Sequence, residues 1–429
     1  MLARKILAGV ACTALALTLG ACGSQTPTET PGAGASSGAA TGEVRLWVME
    51  GSLSDESRQY LIDEFATANP GSELKIEVQQ WDGIVSKLQT SLASKNESPD
   101  LVEIGNTQTT TFTTVGAFAD VTDMKATLGG DDLIPSFVDA STVDGSIYAY
   151  PLYAGARAVY YRTDLFEAAG IEVPTTIDEF TEAAIALQAA NPEGTPNFSG
   201  MYLAAVDPHG VESYLFPQGF DYAKQDGDKW VGQASTPESI AALTNLQKLF
   251  AEGTTYALDS QAGQKAFERY FNEGTTGILI GTGNVGTKID QALWDADKVG
   301  VFAVPSAEPG VPGSTFAGGS NIALAQNSPN PELARKALEL IFSEGFQTRL
   351  AEDGWVPGNT AYSDAVTGPF GAMSGDIINN SKLTPNNPGW GVAFGSTQLN
   401  EFFTRIAKGE DVTAVAEAFD AQVATDLNK

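Results

Sequence analysis

Residues 44–78, VRLWVMEGSLSDESRQYLIDEFATANPGSELKIEV, decide the predicted fold. Val44 to Val48 is rich in β-forming side chains, and Ser57 to Ala68 carries apolar side chains at helical spacing. Asn69-Pro70-Gly71 ends this helix, because proline and glycine interrupt helical geometry, and Leu74 to Val78 then alternates as a strand. A strand, a helix and a second strand of these lengths predict an α/β fold with parallel sheets.

The same alternation continues to the end of the chain. Further helices are predicted at Ile84–Ala93, Thr176–Ala190, 237–252, 287–296, 330–343 and 411–426. Further strands are predicted at Leu101–Ile104, Ala158–Tyr161, Gly277–Ile280, Val299–Val304 and 321–325. The chain shows no internal repeat with a period of roughly 20–50 residues. Its 429 residues are enough for two lobes of ordinary domain size.

Residues 1–21 have the pattern of an export signal. Arg4 and Lys5 precede the apolar run Ile6–Leu19, which is too short to span a bilayer comfortably. The run closes with Leu19-Gly20-Ala21-Cys22, which resembles the lipobox of bacterial lipoproteins. The resemblance implies that Cys22 is acylated and becomes the first mature residue. The alternatives are an uncleaved anchor helix and a secreted protein with an unmodified Cys22.

Composition limits both the architecture and the partners. Residues 22–42 carry mostly small and polar side chains and are predicted to be a flexible tether. Cys12 and Cys22 are the only cysteines, so the body after the tether has no disulfide. The 53 acidic and 24 basic residues give a net charge of −29. Such a surface repels phosphates, which excludes nucleic-acid binding and favours a neutral ligand.

Two motif matches and the single histidine are explained without catalysis, nucleotide binding or metal binding. Residues 281–286, GTGNVG, match a dinucleotide fingerprint, but Glu308, the acidic residue at about the expected distance, lies in a turn. We interpret the stretch as a tight turn whose glycines let backbone N–H groups approach a ligand. The serine pattern at 34–38 lies in the tether and is a chance match. His209 is the only histidine and cannot form a zinc site alone, so we expect a turn or rim residue and no metal.

Tryptophans in polar turns indicate a carbohydrate cleft. Trp81 lies in Gln80-Trp81-Asp82, Trp355 in a Gly/Pro-rich turn, and Trp390 in Pro388-Gly389-Trp390-Gly391. A flat indole suits the C–H face of a sugar ring, and neighbouring amides and carboxylates suit its hydroxyls. The alternative is that each ring fills the edge of the core.

Several segments occur in an order that is typical of one protein family. They are Phe65–Gly71 (FATANPG), Pro99–Val102 (PDLV), Gly145–Pro151 (GSIYAYP), Tyr161–Phe166 (YRTDLF), and Gly170 followed by Pro174–Phe180 (PTTIDEF). In this order they resemble the sugar-binding group of the extracellular solute-binding proteins of ABC importers, which includes maltose-binding protein. The resemblance covers almost everything after the tether. Ile177 stands where the family commonly has Trp, which affects packing and leaves the assignment intact.

The resemblance implies two α/β lobes, each discontinuous in sequence, with a ligand cleft between them. One lobe takes residues 43–153 and 320–352, and the other takes 157–316 and 356–429. The chain would cross between the lobes near 153–156, 317–319 and 353–357, which we call the first, second and third crossings. The first two contain glycines, which can absorb the backbone change that hinge closure requires.

The resemblance also carries ligand contacts over to this sequence. Trp81 and Asp82 match a stacking ring and a carboxylate of maltose-binding protein, and Trp390 matches its late aromatic residue. Asn284 stands where that protein has a stacking Trp, a departure that moves stacking to other residues. The implied ligand-binding residues are Glu50, Ser52, Trp81, Asp82, Asn106, Gln108, Arg157, Tyr202, Asp207, Asn284, Trp355 and Trp390.

The implied function is a receptor that does not cleave its ligand. It would bind a neutral oligosaccharide of two or three rings and deliver it to an ABC permease when the lobes close. Leu46–Ser52 and Gly105–Gln108 resemble chito-oligosaccharide and N-acetylglucosamine binders of actinobacteria, which favours a chitobiose-type ligand. Fragments of β-glucan, trehalose and xylan remain alternatives. We expect a monomer without cofactor, held at the outer face of the cell membrane by its lipid anchor alone.

Two other classes of function stay open at this point. A lipid-anchored glycoside hydrolase would need a carboxylate pair about 5–9.5 Å apart, and no acidic pair in this acidic chain has a distinctive setting. A structural or adhesive surface lipoprotein would have no small-molecule cleft.

Overall fold

The computed structural model describes residues 41–260, 267–394 and 397–429, except for the side chain of Asn379. The predicted export signal, Cys22 and the tether up to residue 40 lie outside these ranges. Within them, no helix is both long and apolar enough to cross a lipid bilayer.

The described strands form two main sheets and two short hairpins. They are β1 (Glu43–Met49), β2 (Glu73–Gln79), β3 (Leu101–Gly105), β4 (Thr142–Val143), β5 (Ser146–Ile147), β6 (Ala149–Gly155), β7 (Arg157–Arg162), β8 (Ala223–Asp226), β9 (Lys229–Gly232), β10 (Ile278–Thr282), β11 (Val299–Ala303), β12 (Gly318–Leu324) and β13 (Val356–Pro357). The larger sheet has the order β13-β6-β12-β3-β1-β2, and the smaller has the order β10-β7-β11. Strands β4 and β5, and β8 and β9, pair as hairpins.

Strand direction differs between the two sheets. In the larger sheet β1 runs parallel to β2 and β3, whereas β12 is antiparallel to both β3 and β6. In the smaller sheet β7 is antiparallel to both of its neighbours. The prediction of parallel sheets is therefore correct for β1–β3 and wrong for the smaller sheet. Alternation along the chain does not fix direction here, because β6 continues through Ala156 alone into β7, so that consecutive strands lie in different sheets.

Helices cover both sheets. They are α1 (Asp55–Ala68), α2 (Ile84–Leu92), α3 (Thr109–Thr113), α4 (Lys125–Leu128), α5 (Pro135–Ala140), α6 (Thr163–Ala169), α7 (Ile177–Ala190), α8 (Pro208–Leu215), α9 (Pro237–Glu252), α10 (Glu268–Asn272), α11 (Gly283–Gly286), α12 (Gln291–Asp295), α13 (Pro331–Ile341), α14 (Glu344–Glu352), α15 (Gly368–Asn379), α16 (Trp390–Phe394), α17 (Thr397–Ala407) and α18 (Val412–Asp426).

Most predicted helices begin and end within two residues of the observed ones. The exception is 287–296, which contains only the short helix α12, preceded by the short helix α11 that ends at Gly286. Asp290 separates them with an extended backbone, φ −53° and ψ 128°, and its N–H donates to the side chain of Asn272 at 3.0 Å. This tertiary hydrogen bond takes the place of a helical one. The spacing of apolar residues alone therefore did not predict the break at Asp290.

The alternation of β1 explains how the larger sheet is buried. Val44, Leu46 and Val48 face a core that includes Leu61 and Phe65 of α1. Trp47 and Met49 point to the opposite face and pack with α2 and Phe112. Successive strand residues point to opposite faces, so a strand covered on both sides needs apolar residues throughout.

The smaller sheet has its own cores. Val159 and Ile280 pack against α7, α9 and the C-terminal helices. Ala158, Tyr160 and Leu279 face a second cluster that includes Ala154, Val356 and Phe370. The limits of the two lobes, as given from the sequence, remain a prediction.

Candidate functional site

Ser52 lies in a buried polar cluster around Glu103, the middle residue of β3. Its Oγ donates to Glu103 Oε1 at 2.7 Å. The Tyr153 hydroxyl lies 2.8 Å from both Ser52 Oγ and Glu103 Oε1, and Ser320 Oγ lies 2.5 Å from the same carboxylate oxygen. The Met49 N–H donates to Glu103 Oε2 at 2.7 Å. Ser52 is 2% exposed, so in this structure its side chain serves the cluster.

Trp355 completes this cluster from the third crossing. Its indole N–H donates to the backbone carbonyl of Ser52 at 2.9 Å, and its ring stacks on Tyr153 with centroids 4.3 Å apart. The ring is partly buried against the larger sheet. The ring of Trp355 is therefore held by two contacts that fix its orientation.

Glu50, Trp81 and Asp82 lie on exposed loops at the ends of β1 and β2. The side chain of Trp81 is 41% exposed, an unusual value for an indole. An added Cβ at Gly105 would lie 3.8 Å from the Trp81 ring and 3.6 Å from the Gln108 side chain. Trp81 and Gln108 therefore both flank Gly105, the last residue of β3.

Asn106 and Gln108 carry buried polar atoms without a partner among the described residues. Asn106 Oδ1 accepts the N–H of Thr107 at 2.9 Å, which fixes the amide orientation and leaves Nδ2 as an unused donor. Gln108 Oε1 is an unused acceptor in the same 3-10 turn, Asn106–Gln108. Buried polar groups are nearly always hydrogen-bonded, so such exceptions indicate a place for a ligand or water.

The segment 384–391 lies against this turn. Thr111 Oγ1 donates to the carbonyl of Pro388 at 2.8 Å, and Thr110 Oγ1 donates to Asn386 Oδ1 at the same distance. An added Cβ at Gly391 would lie 3.3 Å from the Gln108 side chain. Thr384 in this segment has a buried hydroxyl with no partner in the described part of the chain. We call the 3-10 turn and this segment together the acceptor–donor site.

Arg157 and Asp207 are electrostatically coupled on the far side of the first crossing. Burial lowers the pKa of Arg157, and the charges of Asp207 and Glu212 oppose this change. The guanidinium donates to the carbonyl of Phe316 at 3.3 Å and lies 5.5 Å from the centroid of its ring. Asp207 also caps α8 by accepting the N–H of Gly210 at 3.2 Å.

His209 lies in the first turn of α8, with a half-exposed side chain. Its Nδ1 is 2.7 Å from Glu212 Oε2, and its ring stacks on Phe316 at 4.2 Å. Glu212 also accepts the hydroxyl of Tyr222 at 2.9 Å. His209 thus lies at the start of a helix, and its place at the rim of a cleft stays a prediction.

Tyr202 is buried in an aromatic cluster. Its ring is nearly parallel to that of Phe267, with centroids 5.2 Å apart, and also contacts Tyr256 and Tyr270. Burial raises the pKa of its hydroxyl, which has no hydrogen-bond partner within the described ranges. Three residues that were predicted to bind ligand, Asn106, Gln108 and Tyr202, thus carry unpartnered buried atoms.

Asn284 belongs to a contact between α11 and the third crossing. Its Nδ2 donates to the carbonyl of Asp353 at 2.8 Å, and its Oδ1 accepts from Lys288 at 2.8 Å. An added Cβ at Gly283 would lie 2.3 Å from the carbonyl of Gly354, so only glycine permits this backbone approach. The 281–286 stretch is a strand-to-helix junction, as predicted, and Gly283 serves close packing there.

Trp390 is buried in the core of the second half of the chain. It is 2% exposed, stacks on Phe394 at 4.7 Å, and contacts the Tyr222 ring at 5.0 Å. These contacts correspond to the packing alternative that the sequence left open for each tryptophan.

The structure therefore groups the predicted residues by location. Ser52 and Trp355 share the Glu103 cluster, Trp81, Asn106 and Gln108 surround Gly105, and Arg157 lies with Asp207. Sequence reasoning missed Glu103, Tyr153, Ser320, Phe316 and Thr384. For Glu103 a signal existed, because a charged residue within the apolar run Leu101–Ile104 is rarely buried without a role. Among the described residues, no cluster of His, Cys, Asp and Glu could hold a metal ion.

Comparison with known proteins identifies the family. The profile of the bacterial extracellular solute-binding proteins matches residues 51–348. The diacetylchitobiose binding protein DasA of Streptomyces coelicolor is 30% identical over 431 residues, covering 99% of this chain and 98% of the relative. The lactose-binding protein of Rhizobium radiobacter is 25% identical, covering 91% and 94% of the two chains.

Solved structures show the same fold. The GacH receptor of Streptomyces glaucescens, solved unliganded and with acarbose, has a TM-score of 0.78 and 18% identity, covering 90% of this chain and 99% of its own. The sugar-binding protein MalE of Xanthomonas citri has a TM-score of 0.73 and 20% identity, covering 90% and 97%. These likenesses confirm the two-lobed α/β fold. This chain belongs to the bacterial extracellular solute-binding protein family and is a binding protein, not an enzyme.

Proposed function

We propose that this protein captures a neutral, N-acetylated oligosaccharide of two or three rings, of chitobiose type, and delivers it to an ABC import permease. The observation that carries the proposal is the pair of unused atoms in the acceptor–donor site. Asn106 Nδ2 is a buried donor and Gln108 Oε1 a buried acceptor, two residues apart in one turn.

An acetamido group has the complementary chemistry. Its carbonyl oxygen accepts one hydrogen bond and its N–H donates one, so it can satisfy both atoms at once. A buried group left unpaired costs about 1–3 kcal/mol, so this pairing would favour an N-acetylated ring over one with a plain hydroxyl. The exposed ring of Trp81, on the other flank of Gly105, offers a stacking surface for a sugar ring.

Two further observations support the ligand class. One relative that spans nearly the whole chain is named for binding diacetylchitobiose. The net charge of −29 disfavours anionic ligands. We propose direct ligand contacts from Glu50, Trp81, Asp82, Asn106, Gln108 and Arg157. We propose that Ser52, Tyr202, Asp207, Asn284, Trp355 and Trp390 line or support the cleft.

Delivery would depend on hinge closure. We propose the lobes 43–153 with 320–352 and 157–316 with 356–429, joined by the three crossings. A ligand that contacts both lobes binds the closed arrangement more tightly than the open one. This difference in affinity sets how far the ligand shifts the equilibrium towards the closed arrangement. The permease would then distinguish the closed, loaded protein from the open one.

The protein would act as a monomer at the outer face of the cell membrane. Acyl chains on Cys22 would hold it there, since each buried CH₂ contributes about 0.8 kcal/mol. Mass spectrometry of the membrane fraction should find a diacylated or triacylated N-terminal Cys22, and a free thiol on an uncleaved chain would contradict the anchor.

The test of the ligand is calorimetric titration with N,N′-diacetylchitobiose, cellobiose and maltose. Cellobiose has the same β-1,4 linkage with hydroxyls in place of the acetamido groups, so it isolates their contribution. We expect binding of diacetylchitobiose at least tenfold tighter than that of cellobiose, with all sugar recovered intact. Equal binding of the two would contradict acetamido recognition, and preference for maltose would contradict the ligand class.

A further inference from the structure

Glu103 is a buried carboxyl at the centre of the larger sheet. It is fully buried, and no Lys, Arg or His among the described residues forms an ion pair with it. Burying a carboxyl is costly unless hydrogen bonds compensate, and burial raises the pKa of Glu103 while its four hydrogen-bond partners oppose that change. Such a residue in an apolar strand calls for an explanation beyond packing.

Its partners connect it to every crossing. Tyr153 begins the first crossing and lies 2.8 Å from Glu103 Oε1. Ser320 directly follows the second crossing and lies 2.5 Å from the same oxygen. Trp355 of the third crossing stacks on Tyr153 and donates to the carbonyl of Ser52, whose hydroxyl also bonds Glu103.

A carboxyl suits this position because its two oxygens accept about four hydrogen bonds. Three hydroxyls and the N–H of Met49 use that capacity. A single hydroxyl or an apolar side chain could not hold donors from so many segments. The backbones also approach closely here, since an added Cβ at Gly319 would lie 2.4 Å from the carbonyl of Tyr153.

We propose that Glu103 is a positioning residue that anchors all three crossings to one point in the middle of β3. Closure of the lobes then bends the chain beyond this point, and the loop that carries Ser52 keeps its place relative to the hinge. The crossings and the link to sugar binding both rest on the proposed function, whereas the hydrogen bonds of Glu103 do not.

Asp100 provides a matched control immediately before the same strand. It is 1% exposed and accepts the N–H of Arg45 at 2.8 Å, the hydroxyl of Ser328 at 2.5 Å and the N–H of Asn330 at 2.9 Å. Asp100 is thus a similarly buried and hydrogen-bonded carboxyl, but its contacts join β1 and the loop before α13, and none of them reaches a crossing.

The experiment is hydrogen–deuterium exchange on the full chain carrying Glu103→Leu, Glu103→Gln or Asp100→Asn, without sugar. We expect both Glu103 variants to lose protection at 153–156, 317–319 and 353–357 together, by at least tenfold in Glu103→Leu and less in Glu103→Gln. Asp100→Asn should change protection near 45 and 328–330 and leave the crossings unchanged. Loss at one crossing only, or equal loss in the Asp100 variant, would overturn the proposal.

Titration with N,N′-diacetylchitobiose forms the second arm, and it includes the wild-type protein. We expect Glu103→Gln to weaken binding at least fivefold and Asp100→Asn less than twofold. Unchanged affinity in Glu103→Gln would show that the anchor does not affect ligand binding. If the wild-type protein does not bind this sugar, the proposed ligand is wrong, and the exchange result still decides whether Glu103 anchors the crossings. Should Glu103→Leu fail to fold, Glu103→Gln carries both arms.

Discussion

Trp81 and Trp390 both lie where a polar turn leads into a helix, yet their surroundings are opposite. Trp81 is 41% exposed beside Gly105, whereas Trp390 is 2% exposed and packs on Phe394 and Tyr222. The difference teaches that an aromatic residue in a turn does not by itself mark a binding surface. What distinguishes the two rings is whether other side chains already fill the space around them.

The same contrast separates Glu103 from Asn106, three residues later. Every oxygen of Glu103 has a partner, whereas Asn106 Nδ2 has none among the described residues. A satisfied polar group contributes to the architecture, and an unsatisfied buried one has unused capacity for a ligand. The packing around the Trp390 ring and the hydrogen bonding of Glu103 are complete, whereas the Trp81 ring is exposed and Asn106 keeps an unused donor.

The largest expected effect concerns the stability of the core around the buried ring of Trp390. Trp390→Ala should lower the free energy of unfolding by about 3–5 kcal/mol, because it leaves a cavity among buried rings. Trp81→Ala should change it by less than about 0.5 kcal/mol, since the ring is exposed. Urea unfolding of both variants provides the measurement. Similar losses in the two would remove the contrast between them.

The next effect concerns the unused donor. Asn106→Asp keeps the oxygen that accepts the N–H of Thr107 but replaces the Nδ2 donor by an acceptor. We expect affinity for N,N′-diacetylchitobiose to fall at least tenfold, because the hydrogen bond from Nδ2 is lost. The free energy of unfolding should fall as well, because the new carboxylate is buried with only the N–H of Thr107 as a partner among the described residues. Calorimetry at pH 7 tests this. Wild-type affinity in this variant would mean that the ligand does not use that atom.

A smaller effect is expected at the exposed ring. Trp81→Ala should weaken sugar binding about fivefold, because aromatic stacking contributes about 1 kcal/mol. Trp81→Phe is the matched control and should recover most of the affinity by keeping a flat ring. If alanine and phenylalanine bind the sugar equally, stacking at this position contributes nothing.

The smallest effect concerns the partly exposed ion pair between Glu77 and Arg45, which lies between the fully buried and the exposed cases above. Glu77 is partly buried, which opposes ionisation, but hydrogen bonds from Arg45, Lys75 and Trp47 together lower its pKa to about 2. Because this pKa is below the unfolded value of 4.5, the stabilisation is present above pH 4.5 and is lost as the pH falls towards 2.

Glu77→Gln should therefore cost about 1 kcal/mol or less at pH 7, after allowance for solvent screening, and progressively less at pH 4 and pH 3. Urea unfolding at these pH values gives the difference between the two proteins. A cost that stays constant with pH would show that the charge of Glu77 is not responsible.

Much of the fold could be predicted from local patterns. The helices α1, α7, α9 and α18 and the strands β1 to β3 follow from apolar spacing and from end signals such as Thr176 and Glu179, which form a capping box. The direction of β10 and β11 and the break at Asp290 could not, because they depend on tertiary pairing and on a hydrogen bond to Asn272.

The candidate site was less accessible to sequence reasoning. The sequence predicts where β1, β2 and β3 end, and therefore where the loops after them lie. Ser52, Trp81 and Asn106 in these loops could be named in advance. The Glu103 cluster joins residues about 50 to more than 200 positions apart, as from Ser52 and Tyr153 to Ser320. No local pattern contains such distances, so its members other than Ser52 and Trp355 were missed.

The sequence by itself determined the α/β class, the excess of acidic residues and the family, and it predicts an export signal before Cys22. These depend on composition and on short segments in a given order. Only the tertiary structure decided which tryptophan is exposed, which polar atoms lack partners among the described residues and which carboxyl bonds Ser52, Tyr153 and Ser320. The physical reason is that burial and hydrogen-bond satisfaction are properties of surroundings, and those surroundings come from distant parts of the chain.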